Sequence, residues 1–507
     1  MLMFVGENLE VLTIASRREE SAWQAPAVAQ VITRKTLQEQ GSDTLSKALE
    51  NIPGFYMAPK EWGTQPYLRG IPDSILLLYD TVPLSSDVSK SFLPVDRDLS
   101  MAGVKRIEII KGPGSVLWGP DAYAGILNIV PLTGKDIDGF ETGVLYGSPG
   151  NQHGAYVNMG TYTNNWDAFL SVSGFQEEMD DTECNIVKFW GNENEPVLPD
   201  DRLGSERPDN SQYIEAIGRF AYEDWLTFSG RITDNRKSYA MASDDIAWNE
   251  IREAPGGMIK VEAGHSLNHL SAVRFTGSFQ KMETTHHIID QKWKQKENTL
   301  YAEGIYDRSF WSGIGLFTGG ISYREKHIRN AQIWKSYLPD YLNSANISLF
   351  PIPPDEADYN TRLSSIFGQY SHRFGDIESW FGLRYDNHDS YHDRTSFSTG
   401  AFWSPSSDWI FKILYGTAYR TPFAKQLHES ENPNPENIKS VNLQINWEPS
   451  KLWNLNFCGF WNKIEDHVIE DAYAGLSQPN NQEFTGLEIQ GRYSPSRTLE
   501  FAANMTL

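Results

Sequence analysis

Residues 103–130 read GVKRIEIIKGPGSVLWGPDAYAGILNIV. Val104 to Lys111 has the β-branched make-up of a strand, Gly112-Pro113-Gly114 breaks it, and Trp118-Gly119-Pro120 makes a short turn. A second strand of small and apolar residues ends over 126–130. Glycine at 112, 114, 119 and 125 marks tight turns, or backbone approaching so closely that a Cβ would obstruct it. Taken alone, the stretch also fits a tight βαβ turn of a soluble enzyme. It is not a P-loop, because Gly112-Pro113-Gly114 has no following Gly-Lys-Ser/Thr.

Upstream, to about residue 133, the chain is mixed α/β. Thr33 is placed to cap a helix over 34–40 that stops at Gly41. Ser42 caps a second, whose Leu45, Ala48, Leu49 and Ile52 share one face before Pro53-Gly54 ends it. SILLLY at 74–79 is a buried strand. An ordinary small α/β domain would show the same periodicities. The words VITRKTLQEQGSDTLSKALENIPGF, YLRGI, LLLYDTVPL and RIEIIKGPGSVLWG leading into GILNIV resemble, in order and spacing, the plug domain of TonB-dependent outer-membrane receptors. The resemblance implies that the remainder is a large β-barrel, which can be checked on its own residues.

From Phe140 onward the sequence turns into alternating segments with no credible long helix. In WIFKILYGTAYR, Trp409, Phe411, Ile413 and Tyr415 share one face, and Lys412, Gly416, Ala418 and Arg420 the other, with Ile410 and Leu414 breaking the pattern. Trp453, Leu455, Phe457 and Trp461 oppose Asn454, Asn456 and Asn462; Leu499, Phe501, Met505 and Leu507 oppose Glu500, Asn504 and Thr506. Period-two alternation of large apolar with polar or small residues fits a lipid face and a wet lumen. A soluble sandwich would alternate too, with its apolar face inside. The connections separate the two. Long links near 178–210, 238–256, 330–360, 421–436 and 467–482 alternate with tight turns at 163–165, 223–224, 375–376, 405–408 and 448–451, as long outer loops and short periplasmic turns do. The late stretches YGTAYRTPFAKQLHESENPNPENIKS and FTGLEIQGRYS also resemble the family.

The tally is about seventeen strands by Leu507, against about twenty-two in the family's barrel. The expectation is therefore a C-terminally truncated copy lacking roughly five strands. The fold class expected is a transmembrane antiparallel β-barrel with an N-terminal α/β plug inside its lumen. A flexible leader covers residues 1–24, the plug 25–133 and the barrel 134–507.

Bulk composition narrows the function. A net charge of −22 makes nucleic acid a poor partner. No apolar run reaches the roughly 18 residues of a transmembrane helix, which says nothing against barrel strands. Sixteen Trp, 23 Tyr and 25 Phe suit the aromatic girdles of a barrel, as they would a carbohydrate-binding β protein. Cys184 and Cys458 have no metal-like spacing, and whether they pair is open. MLMFVGENLE has neither the charged start nor the apolar core of a signal peptide, so the export leader is expected to be missing from this sequence. No nucleophile elbow or zincin motif is present, and scattered carboxylate pairs nominate no hydrolase site.

Residues Leu9, Glu10, Val11, Leu12, Thr13 and Ile14 precede a polar stretch, so they can add an edge strand to a partner or simply fray. They resemble the TonB box, with Glu10 unusual in it. Arg106, Glu108 and Lys111 share a strand, and Lys and Glu are seldom buried unpaired. Ion pairs with barrel-wall charges are expected; the resemblance implies them for Arg106 and Lys111. By analogy with the family, Trp62, Gln65, Ser86 and Asp87 lie on outward-facing plug loops, Trp62 being either a stacking surface or packed on the wall. Residues 177–210 hold eleven acidic against three basic residues. Such a run is either solvated or binds divalent ions, as calcium or beneath lipopolysaccharide. His428 lies where haem-uptake members carry an axial histidine, and His286-His287 is expected in another outer loop.

The resemblance implies an importer, not an enzyme, in the outer membrane of a Gram-negative bacterium. Its expected partners are TonB, outer-membrane lipid with lipopolysaccharide, and a small solute such as a metal chelate. A ferric siderophore comes first, with cobalamin and haem behind. No resident cofactor is implied. Competing readings are a passive porin-like channel, a soluble β-rich lectin or hydrolase, and a non-functional truncated receptor.

Overall fold

The structure, a computed structural model, describes all residues except 1–10, 61–62, 85, 89, 91–94, 148–150, 178–209, 244–245, 289–290, 334–354, 431–432, 469, 472–474, 477–479 and 497–498. Apolar runs organise the N-terminal unit. Ile75–Tyr79, buried at every residue, sits in a five-stranded sheet ordered Val28–Thr33, Val104–Lys111, Gly125–Pro131, Ile75–Tyr79, Val82–Pro83. A strand covered on both faces has no solvent side, which is why ILLLY does not alternate. Gly125–Pro131 runs parallel to Ile75–Tyr79 and antiparallel to Val104–Lys111. The helices Arg34–Glu39 and Leu45–Glu50 bury Leu37, Leu45, Ala48 and Leu49. Thr33 caps the first as expected. The second is capped by Thr44, not Ser42, because the Thr44 hydroxyl accepts from the Lys47 amide.

In the 103–130 stretch one helical turn, Ser115–Trp118, lies between the two strands, and the expected turn over 118–120 follows it at Gly119, whose φ is 78°. A Cβ on Gly114 would lie 2.3 Å from Ile126 Cδ1, and one on Gly125 2.8 Å from the Ile110 carbonyl oxygen. Packing demands glycine at 125, where the obstacle is backbone, whereas at 114 the flexible end of Ile126 would have to move.

From Gly139–Gly147 to Leu499–Thr506 the chain forms one antiparallel sheet whose spatial order is its sequence order. Among the described residues it has eighteen segments, but Ile246–Glu253 and Gly256–Asn268 both pair with Leu226–Ser243 in continuing register. They are one strand interrupted at Ala254-Pro255, where proline cannot donate to a ladder. The count is then the seventeen expected. The long loop expected over 238–256 is mostly this ladder, a correction: the β-prone words SYAMAS and IAWNEIRE extend the hairpin. Likewise the 421–436 connection contains the helix Ala424–Glu429. The 178–209 link lies outside the described residues.

Alternation sorts the two faces. In Ile377–His388, Phe381, Leu383 and Tyr385 are exposed, whereas Trp380, Arg384 and Asp386 are buried against the plug side. Rings cluster near the short-turn rim, with Trp166 on Phe220, Tyr222 on Trp225, Trp409 on Trp447 and Trp453 on Tyr493. Amphipathic rings favour the headgroup level, so this is one interfacial girdle.

Candidate functional site

The sheet holds the plug by buried polar ties, beginning with its leader. Val11–Leu12 pairs with Glu20–Ser21 in a two-stranded ribbon. Leu12 and Ile14 are fully buried beside Leu76, Leu78, Ile110 and Ile126. Thr13 Oγ1 donates to Glu108 (3.1 Å), and Trp118 Nε1 donates to the Ile14 carbonyl (2.7 Å). Arg17 stacks 3.4 Å over the Trp118 ring and pairs with Glu303 on the wall at 2.9 Å. Lys412 Nζ, from the strand Trp409–Arg420, donates to the carbonyls of Ala22 (3.3 Å), Ala25 (2.9 Å) and Ala27 (3.1 Å). Residues 11–24 are thus docked, which corrects the expectation of a flexible leader: burying Leu12 and Ile14 and satisfying these carbonyls outweighs chain entropy. Leu9 and Glu10 lie outside the described residues. Burial pushes the Glu20 carboxyl up to about 7, against a Ser16 hydrogen bond and the charge of Lys412.

A second layer lies in the middle of the plug. Lys111 Nζ reaches wall residue Glu488 at 2.7 Å and the Pro53 carbonyl at 3.1 Å. Arg69 converges on the same carboxylate at 2.8 Å and donates to Asn442 Oδ1 at 2.6 Å, with its guanidinium 4.4 Å over Phe460. Sequence reading missed Arg69. Its signal is a charged residue in the apolar word YLRGI, at a positive φ of 54° before Gly70. Arg106 corrects an expectation: among the described residues it pairs with Glu108 inside the plug at 2.7 Å, not with the wall. The two lie on one strand face two residues apart, and Glu108 also accepts from Asn128.

The outer layer faces the long connections. Ser86 Oγ donates to Glu297 (2.8 Å) and Asp87 pairs with Lys90 (2.6 Å) and Lys326 (3.2 Å). Burial opposes ionisation of Asp87, but Lys326 and Lys90 hold its carboxyl well below the usual range. Lys90 bridges on to Asp121 and Thr421. Asp96 meets Lys237, and Asp98 meets Arg252. Gln65, expected to face outward, is instead buried and donates to Asp73 at 2.6 Å. Trp62 lies outside the described residues. His428 sits half-exposed on Ala424–Glu429, its Nε2 3.9 Å from Asp355. Among the described residues no group of three His, Cys, Asp or Glu side chains could hold a metal ion. His286 and His287 belong to the strand Ser271–Ile288, not to a loop, since the ladder continues through them.

Residues 21–126 match the family model of the TonB-dependent receptor plug domain, and 139–507 that of the TonB-dependent-receptor-like β-barrel. The vitamin B12 transporter BtuB of Vibrio vulnificus is 22% identical over 506 residues, spanning 97% of this chain and 76% of that protein. BtuB of Photobacterium profundum is 23% identical over 94% of this chain and 73% of its own length. Among solved structures, the siderophore receptor PirA from Acinetobacter baumannii superposes with a TM-score of 0.73 at 15% identity, over 96% of this chain and 80% of that one. The FrpB iron transporter from Neisseria meningitidis gives 0.72 at 14%, over 94% and 79%. At such identities the structural likeness speaks for the fold alone.

Proposed function

The chain belongs to the TonB-dependent receptor family, and on that premise we propose that it imports a scarce metal chelate across the outer membrane, drawing on force transmitted by TonB. Receptors of this family sit in the outer membrane of Gram-negative bacteria and bind small ligands; they are transporters or receptors, not enzymes. The observation that carries the reading is the docked leader: residues 11–14 of the β-capable segment are seated under the signature turn through Trp118 and Arg17. Once released, it pairs with TonB as an added strand, main-chain bonds giving the affinity. Tension on it then reaches Val104–Lys111 through Thr13 and Glu108.

The solute meets the outer layer first, around Ser86 and Asp87, with half-exposed His428 and, from the sequence alone, Trp62 as further candidates. A corrinoid of the vitamin B12 kind is supported by the two sequence relatives, and now stands ahead of the ferric siderophore that the family resemblance put first. Lipid is the proposed surrounding of the girdled wall, with lipopolysaccharide at its outer rim. A passive channel is disfavoured by three layers of buried ties.

Deletion of residues 9–14 tests the reading. Uptake of cyanocobalamin and of a ferric catecholate is measured in cells, beside binding of each to the purified receptor. Loss of uptake with binding retained is expected; unimpaired uptake refutes energy coupling through this segment. Which of the two solutes is taken up decides between the cargo classes.

A further inference from the structure

The ties between plug and wall are distributed unevenly around the lumen. Strands on one side carry Glu141, Lys237, Arg252, Lys260, Glu303, Asp307 and Lys326, each in an ion pair with the plug or its leader. Glu488 does the same on the far side. Three adjacent strands, Asp355–Phe374, Ile377–His388 and Arg394–Ser406, differ. Among the described residues, none of their side chains makes an ion pair or hydrogen bond to residues 11–138. Arg384, a buried cation among them, is satisfied within the wall by Asp386, Ser322 and Ser365, and Arg394, half-buried at the start of the third strand, does not reach the plug. Plug and wall meet there through apolar contact, Val116 and Leu117 against Phe367, and Trp23 against Trp380 and Phe402.

A cavity of about 50 Å³ already lies along this seam. Its wall side includes Gln369, Trp380, Ser398 and Thr399 of these strands and, from the two strands that follow, Tyr415 and Asn442, all uncharged; its plug side includes the Gly112-Pro113-Gly114 break with Val116 and Trp118. Ile14, Ala15, Pro26 and Ala27 of the leader close it. Lys111, the charged group on its lining, is occupied by Glu488 and the Pro53 carbonyl. Apolar contacts slide without leaving a buried charge unpaired, whereas every tied side must first break one.

We propose that the transit route opens along this seam, between the 112–118 turn and the strands of residues 355–406, when the leader that floors it is withdrawn. The inference rests on the import reading and names its path. The lining suits a neutral, hydrogen-bonding solute with flat rings, since amide, hydroxyl and aromatic groups face it and no free charge would trap an ion.

Two disulfide tethers test the route, placed in a Cys184→Ser, Cys458→Ser background. A Cβ built on Gly382 lies 2.8 Å from Val116 Cγ1, so Val116→Cys with Gly382→Cys sews the seam shut. A Cβ on Gly103 lies 3.5 Å from Ser171 Cβ, so Gly103→Cys with Ser171→Cys sews a tied side. The readout is potassium chloride conductance of the reconstituted full chain in urea too dilute to unfold the barrel, which needs neither TonB nor a known cargo. Conductance should be lost in the oxidised seam tether, return with reductant, and persist in the oxidised control tether. Unchanged conductance with the seam sewn overturns the route. So does loss with either tether, or no conductance from the untethered protein. Failure of the import reading shows separately, as cargo uptake that survives deletion of residues 9–14.

Discussion

Glu488→Gln removes the one carboxylate that Arg69 and Lys111 share. The three side chains are 1%, 0% and 5% exposed, so both cations stay buried when the charge goes. Breaking a buried pair from one side costs about 3–5 kcal/mol. Here both cations keep other partners: Arg69 retains Asn442 Oδ1 at 2.6 Å and the Phe460 ring, and Lys111 retains the Pro53 carbonyl at 3.1 Å. The lower end applies, about 3 kcal/mol, or roughly a hundredfold in the population of undocked plug. Amide hydrogen exchange followed by mass spectrometry reads this directly. Peptides covering Val104–Lys111 and Gly125–Pro131 should lose about a hundredfold in protection while barrel peptides hold theirs. The triple change Arg69→Met, Lys111→Met, Glu488→Leu removes all three charges and should return protection to within about 1 kcal/mol of the parent. Unchanged protection in Glu488→Gln, or a triple variant as loose as the single, refutes the reasoning that charge pairing seats the plug.

Lys412→Met strips three carbonyls of their ammonium partner and should loosen the leader by roughly 3 kcal/mol, seen as faster proteolysis at Arg17 and Arg18 with the barrel intact. Docking of the leader should also depend on pH through Glu20, whose carboxyl burial raises from 4.5 to about 7. The docked state then holds a proton that the released state sheds, so the contribution of Glu20 to seating is fullest below 4.5, weakens up to about 7 and changes no further above that. Glu20→Gln should abolish that slope; a slope that persists would assign it to another group.

The architecture was legible because period-two alternation survives any register, and because the 103–130 stretch carries a glycine, Gly125, that packing cannot replace. Even the exceptions carried meaning. Ile410 and Leu414, which broke the alternation of their strand, face inward where Trp23 of the leader packs. What local reading could not supply was the partner of a charge. Arg106 and Lys111 look alike in RIEIIK, yet one turns to Glu108 two residues on and the other to Glu488, 377 residues away. Whether a strand charge pairs within the plug or across to the wall depends on which face looks outward, and that follows from packing. Gln65 was misplaced for the same reason, since a polar residue in a loop-like word gives no sign that Asp73 folds back to meet it.

The tie between Arg69 and Glu488 spans 419 residues, whereas each barrel strand pairs with its neighbours in sequence. Loop-closure entropy makes the near pairings quick and the far one slow. Translation delivers the plug first, but its anchor at residue 488 arrives hundreds of residues later. The segment made earliest is therefore seated last, and the apolar words ILLLY and GILNIV must be kept from pairing with other chains meanwhile. Seating of the plug therefore has to wait for the last strands of the sheet.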